Sequence, residues 1–190
     1  MEGLLNKEGE VRGVVFKTDR KYIMKHAGEE GLRKVQEELE KLSCSFDYKE
    51  EADNMSFYPI SMRVFSLVAI SKAFDLGKED IREMGFNAPK FSFLLKFFMR
   101  YFTSPEKIMK KAGDMWEEHY TVGTLKAEKG GDENSLRAYL YDVDLHPILC
   151  DYLSGYFSSV LAMGVGKEVK CEEVKCIHNG EDHHEFLFKW

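Results

Sequence analysis

Apolar residues recur along the chain at two different periods, and the change from one to the other divides it. From Glu29 onward Leu32, Val35, Leu39 and Leu42 fall at i, i+3, i+7 and i+10 with charged residues between them. That spacing predicts an amphipathic helix ending near Ser43. Before it, Val11 to Gly28 places Val15, Tyr22 and Ile23 at apolar positions, the pattern of a short helix broken near Thr18 and Asp19. Pro59 opens the next helix, Ile60 to Phe74, which is apolar at almost every second or third position, hence buried on most sides, and stopped by Gly77. A short helix over Lys78 to Met84 follows. Pro89 then introduces Phe91 to Phe102, a helix wrapped by Phe93, Leu94, Phe97, Phe98 and Tyr101. Ser104, Pro105 and Glu106 supply an N-cap, a first-turn proline and a first-turn acid. They launch a helix to about Tyr120 with Ile108, Met109, Ala112, Met115 and Trp116 as its apolar positions.

After Gly123 the period shortens. Thr124 to Glu128 and Ser135 to Val143 alternate around a turn containing Gly130 and Gly131, a β-hairpin signature. Pro147 to Met163 returns to helical spacing and is closed by Gly164-Val165-Gly166. Glu168 to Lys175 alternates again, and His178-Asn179-Gly180-Glu181 makes a turn before a last strand, His184 to Trp190. The expected fold class is α+β: an N-terminal helical bundle over 1–121, then a β-β-α-β-β subdomain over 122–190 with one small antiparallel sheet. Both belong to a single domain, 1–190, without repeats.

Composition narrows the function. At 190 residues, 44% hydrophobic content fills one continuous core. With 27 basic and 33 acidic residues the formal net charge is -6, which offers no footprint for a nucleic-acid backbone or an anionic membrane. The longest apolar runs, such as Phe91 to Met99 with Lys96 inside, fall short of the roughly 20 residues that span a bilayer. The acidic amino terminus lacks the apolar core of a secretory signal, so a cytoplasmic protein is expected, with neither nucleic acid nor membrane as partner. Fourteen Phe, nine Tyr and nine Met make a soft core able to line a cavity for a small hydrophobic ligand. The expected contacts are Phe97, Tyr101, Met109, Trp116 and Phe157, although plain packing explains each about as well.

The last forty residues concentrate metal-ligand chemistry. Cys171, Glu172, Glu173, Cys176, His178, His183, His184 and Glu185 lie within fifteen positions, and Cys150 sits on the helix before them. Zinc accepts thiolate, imidazole and carboxylate together. A tight turn at Gly180 brings Cys176 at the end of one strand beside His184 at the start of its neighbour, and the helix supplies Cys150. Glu173 and Cys176 have the wrong parity for one face of a regular strand, so the strand must bulge or end between them. Cys171 or His178 could take the place of Glu173. The competing reading is a buried thiol pair beside a solvated His/Glu turn.

The segment from Cys176 through Gly180 and His184 to Phe186 resembles the C-terminal signature of the 4-vinyl reductase domain family: Cys, three residues, Gly, three residues, Cys, one residue, Phe. Here His184 stands in for the second cysteine. The resemblance implies zinc held by Cys150, Glu173, Cys176 and His184, as in ligand-sensing domains of aromatic-responsive transcription activators. The spacings are also similar to those of H-NOX haem nitric-oxide-binding proteins. Val11-Arg-Gly-Val-Val-Phe16 and Gly28-Glu-Glu-Gly31-Leu look like the amino-terminal part of the same proteins. H-NOX proteins hang haem iron from a helix histidine and clamp the propionates with Tyr-x-Ser-x-Arg. Here Gly113 to Met115 fall near the histidine position, and Val143, Leu145 and Pro147 occupy the motif. Haem is therefore not expected, with His119 and His146 as fallback axial ligands.

No G-x-G-x-x-G, G-x-S-x-G or H-E-x-x-H motif is present, and a zinc with four protein donors leaves no open position for an activated water. The expectation is a non-enzymatic sensor or regulatory module in which structural zinc stiffens the scaffold and an apolar cavity binds the ligand. A signalling partner, an attached output domain or a second copy in a homodimer would read its state. The alternatives are a haem gas sensor with a relocated histidine, a tetrapyrrole-related enzyme, or an assembly subunit of the kind found in vesicle-tethering complexes.

Overall fold

The computed structural model describes residues 3, 7–48, 52–91 and 104–190. The helix expected over Phe91 to Phe102 lies outside them beyond its first residue. Strand β1 (Glu10–Arg12) leads into α1 (Val14–Lys41), and β2 (Phe57–Pro59) into α2 (Ile60–Phe74) and α3 (Lys78–Phe91). After α4 (Pro105–Glu117) come β3 (Thr124–Lys129), β4 (Ser135–Tyr141), α5 (Pro147–Val165), β5 (Lys170–Lys175) and β6 (His184–Lys189). This is a mixed α+β fold with five described helices and two small antiparallel sheets, β1-β2 and β3-β4-β6-β5.

Three local expectations are corrected. Thr18 and Asp19 do not break α1: the Thr18 hydroxyl donates to the Val14 carbonyl inside the helix at 3.0 Å, and Asp19 is buried and paired. The break falls at Gly28, whose φ of 59° and ψ of −154° only glycine adopts without strain. The short helix expected over Lys78 to Met84 runs on to Phe91 with Pro89 inside its last turns. Pro89 has no N–H to donate to the carbonyl four residues back, at Gly85. The β1-β2 ladder, pairing Val11 with Tyr58, was not foreseen, because three residues are too few to show a period.

In the helical half, α2 is buried over nearly every residue from Ile60 to Ile70. Among them is Arg63, wholly buried and ion-paired with the equally buried Asp19 of α1. Ser66 donates to the same carboxylate at 2.8 Å, and the Tyr48 hydroxyl donates to it at 3.3 Å. The guanidinium lies over the Tyr152 ring of α5 at 4.3 Å, within the range of a cation–π contact. Helices α3 and α5 approach closely through two glycines. A Cβ on Gly85 would sit 2.0 Å from the Tyr152 carbonyl oxygen, and one on Gly155 1.9 Å from that of Arg82.

The four-stranded sheet turns one face to α5. Leu136, Ala138 and Leu140 of β4 and His184, Phe186 and Phe188 of β6 alternate inward and are all buried, the period-2 pattern of a half-buried sheet. Between Glu173 and Lys175 the β5-β6 register shifts, and β5 then stops. Cys176 opens a single 3-10 turn over Ile177–Asn179, closed by Gly180 at φ 90°. The strand therefore both bulges and ends where the parity of Glu173 and Cys176 required it.

Candidate metal centre and apolar cavity

Four side chains from three elements and one turn converge at the start of α5. Cys150 comes from its first turn, Glu173 from β5, Cys176 from the 3-10 turn and His184 from the first position of β6; their ligand atoms all lie within 4.8 Å of one another. His184, Cys150 and Cys176 are buried at 2%, 6% and 7% exposure, whereas Glu173 is half-buried at the rim. The structure brings together the four residues named from the sequence. Cys171 instead faces Ser154 and Ser158 of α5, and burial pushes its thiol up to about 12. His178 lies 5.7 Å from the His184 ring, with Nδ1 3.8 Å from Asp144.

The orientation of His184 is fixed from behind. Its Nε2–H donates to the Val143 carbonyl at 3.0 Å, which leaves Nδ1 facing the cluster, 3.1 Å from Glu173 Oε1 and 3.6 Å from Cys150 Sγ. A backbone carbonyl on the far nitrogen is the usual way a metal-binding imidazole is held in one tautomer. Burial opposes charge on His184, but the Glu173 carboxylate outweighs it and raises the imidazole pKa. Burial likewise works against Glu173, and the hydrogen bonds from His184, Cys176 and Cys150 together with the His184 charge more than offset it and lower its pKa. Burial pushes both thiols upward, most of all Cys150, where the Glu173 charge adds to the effect. Two thiolates, one carboxylate and a neutral imidazole around a divalent ion would carry net charge -1, and the donor types suit zinc.

Beside this cluster, a cavity of about 120 Å³ opens between α4, α5, the N-terminal turn of α1 and the inner face of the four-stranded sheet. Trp116 and Phe157, two of the residues named from the sequence, line it. Met109 does not: the α4 residues that face the cavity are Ile108, Ala112, Met115 and Trp116, one helical stripe, and Met109 is rotated about 100° from Ile108. Phe97 and Tyr101 lie outside the described residues. Tyr120, Tyr152 and His119, none of them expected as contacts, complete part of the wall. The buried Arg63 was missed as well, though a charge inside a helix apolar on all sides was its visible signal.

The described cavity wall offers haem one histidine and no other basic side chain. The cavity is of the order of the roughly 150 Å³ hole that accepts benzene, and no lysine or arginine is among the described residues that line it. His119 is the lining histidine, and its Nδ1 is bonded to the Met115 carbonyl at 3.0 Å. His146 instead caps α5, its Nδ1 accepting from the Ile148 N–H at 3.1 Å. Val143, at the first position of the propionate motif, is buried and offers its carbonyl to His184.

No family model matches the chain, and no curated protein matches it. Solved structures do. An H-NOX protein from S. oneidensis in the Fe(II)NO state aligns at 14% identity and TM-score 0.67, over 94% of this chain and 98% of that one. A mutant H-NOX protein from K. algicida, Fe(II) and unliganded, aligns at 14% identity and TM-score 0.66, over 94% and 95%. A mutant of the T. tengcongensis H-NOX aligns at 15% and 0.63, over 94% and 96%. At such identities the likeness shows architecture: this chain has an H-NOX-like fold.

Proposed function

We propose that the chain is a cytoplasmic small-molecule-binding sensor or regulatory module, without catalysis of its own, built on an H-NOX-like scaffold from which haem is absent. In this reading Cys150, Glu173, Cys176 and His184 hold a structural zinc that ties α5 to the β5-β6 hairpin. The cavity lined by Trp116 and Phe157 receives a small hydrophobic molecule, no larger than one aromatic ring. The observation that carries the reading is the convergence of four ligand atoms, two thiols, a carboxylate and an imidazole, within 4.8 Å with no lysine or arginine among them. A buried group of lone-pair donors without a counter-charge is costly unless a cation joins it.

Elemental analysis and an absorbance scan of protein purified without added metal test both parts. One equivalent of zinc and a flat visible spectrum are expected. Zinc below a tenth of an equivalent overturns the metal site, and a Soret band overturns the haem-free cavity. The second reading, a haem gas sensor, draws on the H-NOX proteins among the similar structures and on His119 in the cavity wall. It requires a Soret band on reconstitution that is lost in His119→Ala.

A further inference from the structure

The donor cluster and the cavity share one seam, between α5 and β6. Cys150, Leu153 and Phe157 stand at i, i+3 and i+7 on α5, one stripe of the helix. Cys150 is a cluster donor, Leu153 borders both the cavity and a small gap beside the cluster, and Phe157 lines the cavity. Strand β6 repeats the order at its own period. His184 belongs to the cluster, Phe186 is fully buried and Phe188 lines the cavity. The rings form an unbroken series across the seam. His184 stacks on Phe186 with centroids 6.3 Å apart, and Phe186 meets Phe157 edge-on at 5.7 Å. Phe157 lies 6.5 Å from Trp116, which stacks on Tyr120 at 4.2 Å.

We propose that the metal cluster and the cavity are coupled through this seam, so that metal at Cys150, Glu173, Cys176 and His184 tightens binding of an apolar ligand beside Phe157 and Trp116. The inference rests on the reading above and goes beyond it: a sensor whose ligand affinity reports metal occupancy. The physical reason lies in what the ion would join. Cys150 and His184 belong to the two elements that bound the cavity, so bonds from both to one ion fix the spacing of α5 and β6 at one end of the seam. Close-packed rings transmit that spacing instead of absorbing it, and a cavity already at its binding width costs the ligand less ordering. Linkage makes the effect reciprocal: the ligand must tighten the metal by the same factor.

Fluorobenzene, close in size to the cavity, is the probe. Its dissociation constant is measured by 19F NMR on the full chain, zinc-loaded and chelator-stripped, with circular dichroism confirming that the stripped form is folded. Binding about 5- to 150-fold tighter in the loaded form is expected. On the zinc-loaded protein, saturating fluorobenzene is expected to raise the zinc affinity, read by equilibrium competition with a chelator, by the same factor. Phe186→Leu, at a residue that is neither a donor nor among the cavity-lining residues, should keep both ligands while the factor falls toward one. Affinities equal within twofold in both arms, or undiminished coupling in Phe186→Leu, overturn the proposal alone. Fluorobenzene that binds in neither state overturns the cavity reading with it, and a chain that takes no zinc overturns the metal reading with it.

Discussion

Two buried polar clusters, one in each half of the molecule, answer the same problem differently. Around Asp19 the helical half surrounds a carboxylate with its own cation, Arg63, and with the hydroxyls of Ser66 and Tyr48. At His184 the C-terminal half gathers two thiols, a carboxylate and an imidazole, with no lysine or arginine among them. The first is closed in charge; although Asp19 Oδ1 and Arg63 Nε and Nη2 find no partner among the described residues, it needs no further ion. The second is short of one cation. Burial alone therefore does not mark a metal site; a surplus of lone pairs over counter-charge does.

The largest expected effect comes from emptying the second cluster. Structural zinc contributes on the order of 10 kcal/mol in zinc-finger peptides. Cys176→Ser in zinc-loaded protein should accordingly lose the metal by elemental analysis and at least several kcal/mol in denaturant unfolding. An unchanged midpoint would mean that the two clusters are alike after all. Next comes the first cluster. Arg63→Met strands the buried Asp19 carboxylate and should cost about 3–5 kcal/mol, most of it recovered when Asp19→Asn is added, since replacing a buried pair outright is often neutral. A double variant no better than the single one would show that Arg63 acts through packing on Tyr152. Gly155→Ala, which forces a methyl onto the Arg82 carbonyl where α3 meets α5, should cost about 1–3 kcal/mol, read from the thermal midpoint. The smallest effect belongs to the solvent-facing Lys7–Asp144 pair at 2.9 Å. Lys7→Ala should shift stability by less than about 1 kcal/mol, the scale against which the two buried clusters are measured.

Much of this was legible along the chain because the signals are local. The hydrophobic period gave α2 its limits, and the proline and serine before α4 marked its start. The glycine turn and the broken strand parity placed Cys176 beside His184. Signals that depend on distance in sequence were not legible. Asp19 and Arg63 are 44 positions apart, and only packed helices bring them together. Which α4 residues face the cavity depended on a rotation that Met109 and Met115 do not reveal by type. The Gly28 break was displaced toward Thr18 and Asp19 because polar residues in a helix suggest an end unless their partners are known.

The sequence by itself determined the order of helices and strands and the kinds of donor atom near the C-terminus, since period and side-chain chemistry are properties of short stretches. Only the tertiary structure decided that Glu173 completes the cluster in place of Cys171 or His178, that Val143 holds the imidazole of His184, and that the cluster and cavity share the α5-β6 seam. Each of those depends on where elements remote in sequence come to rest against one another. That is set by the packing of the whole core and by no residue's own preference.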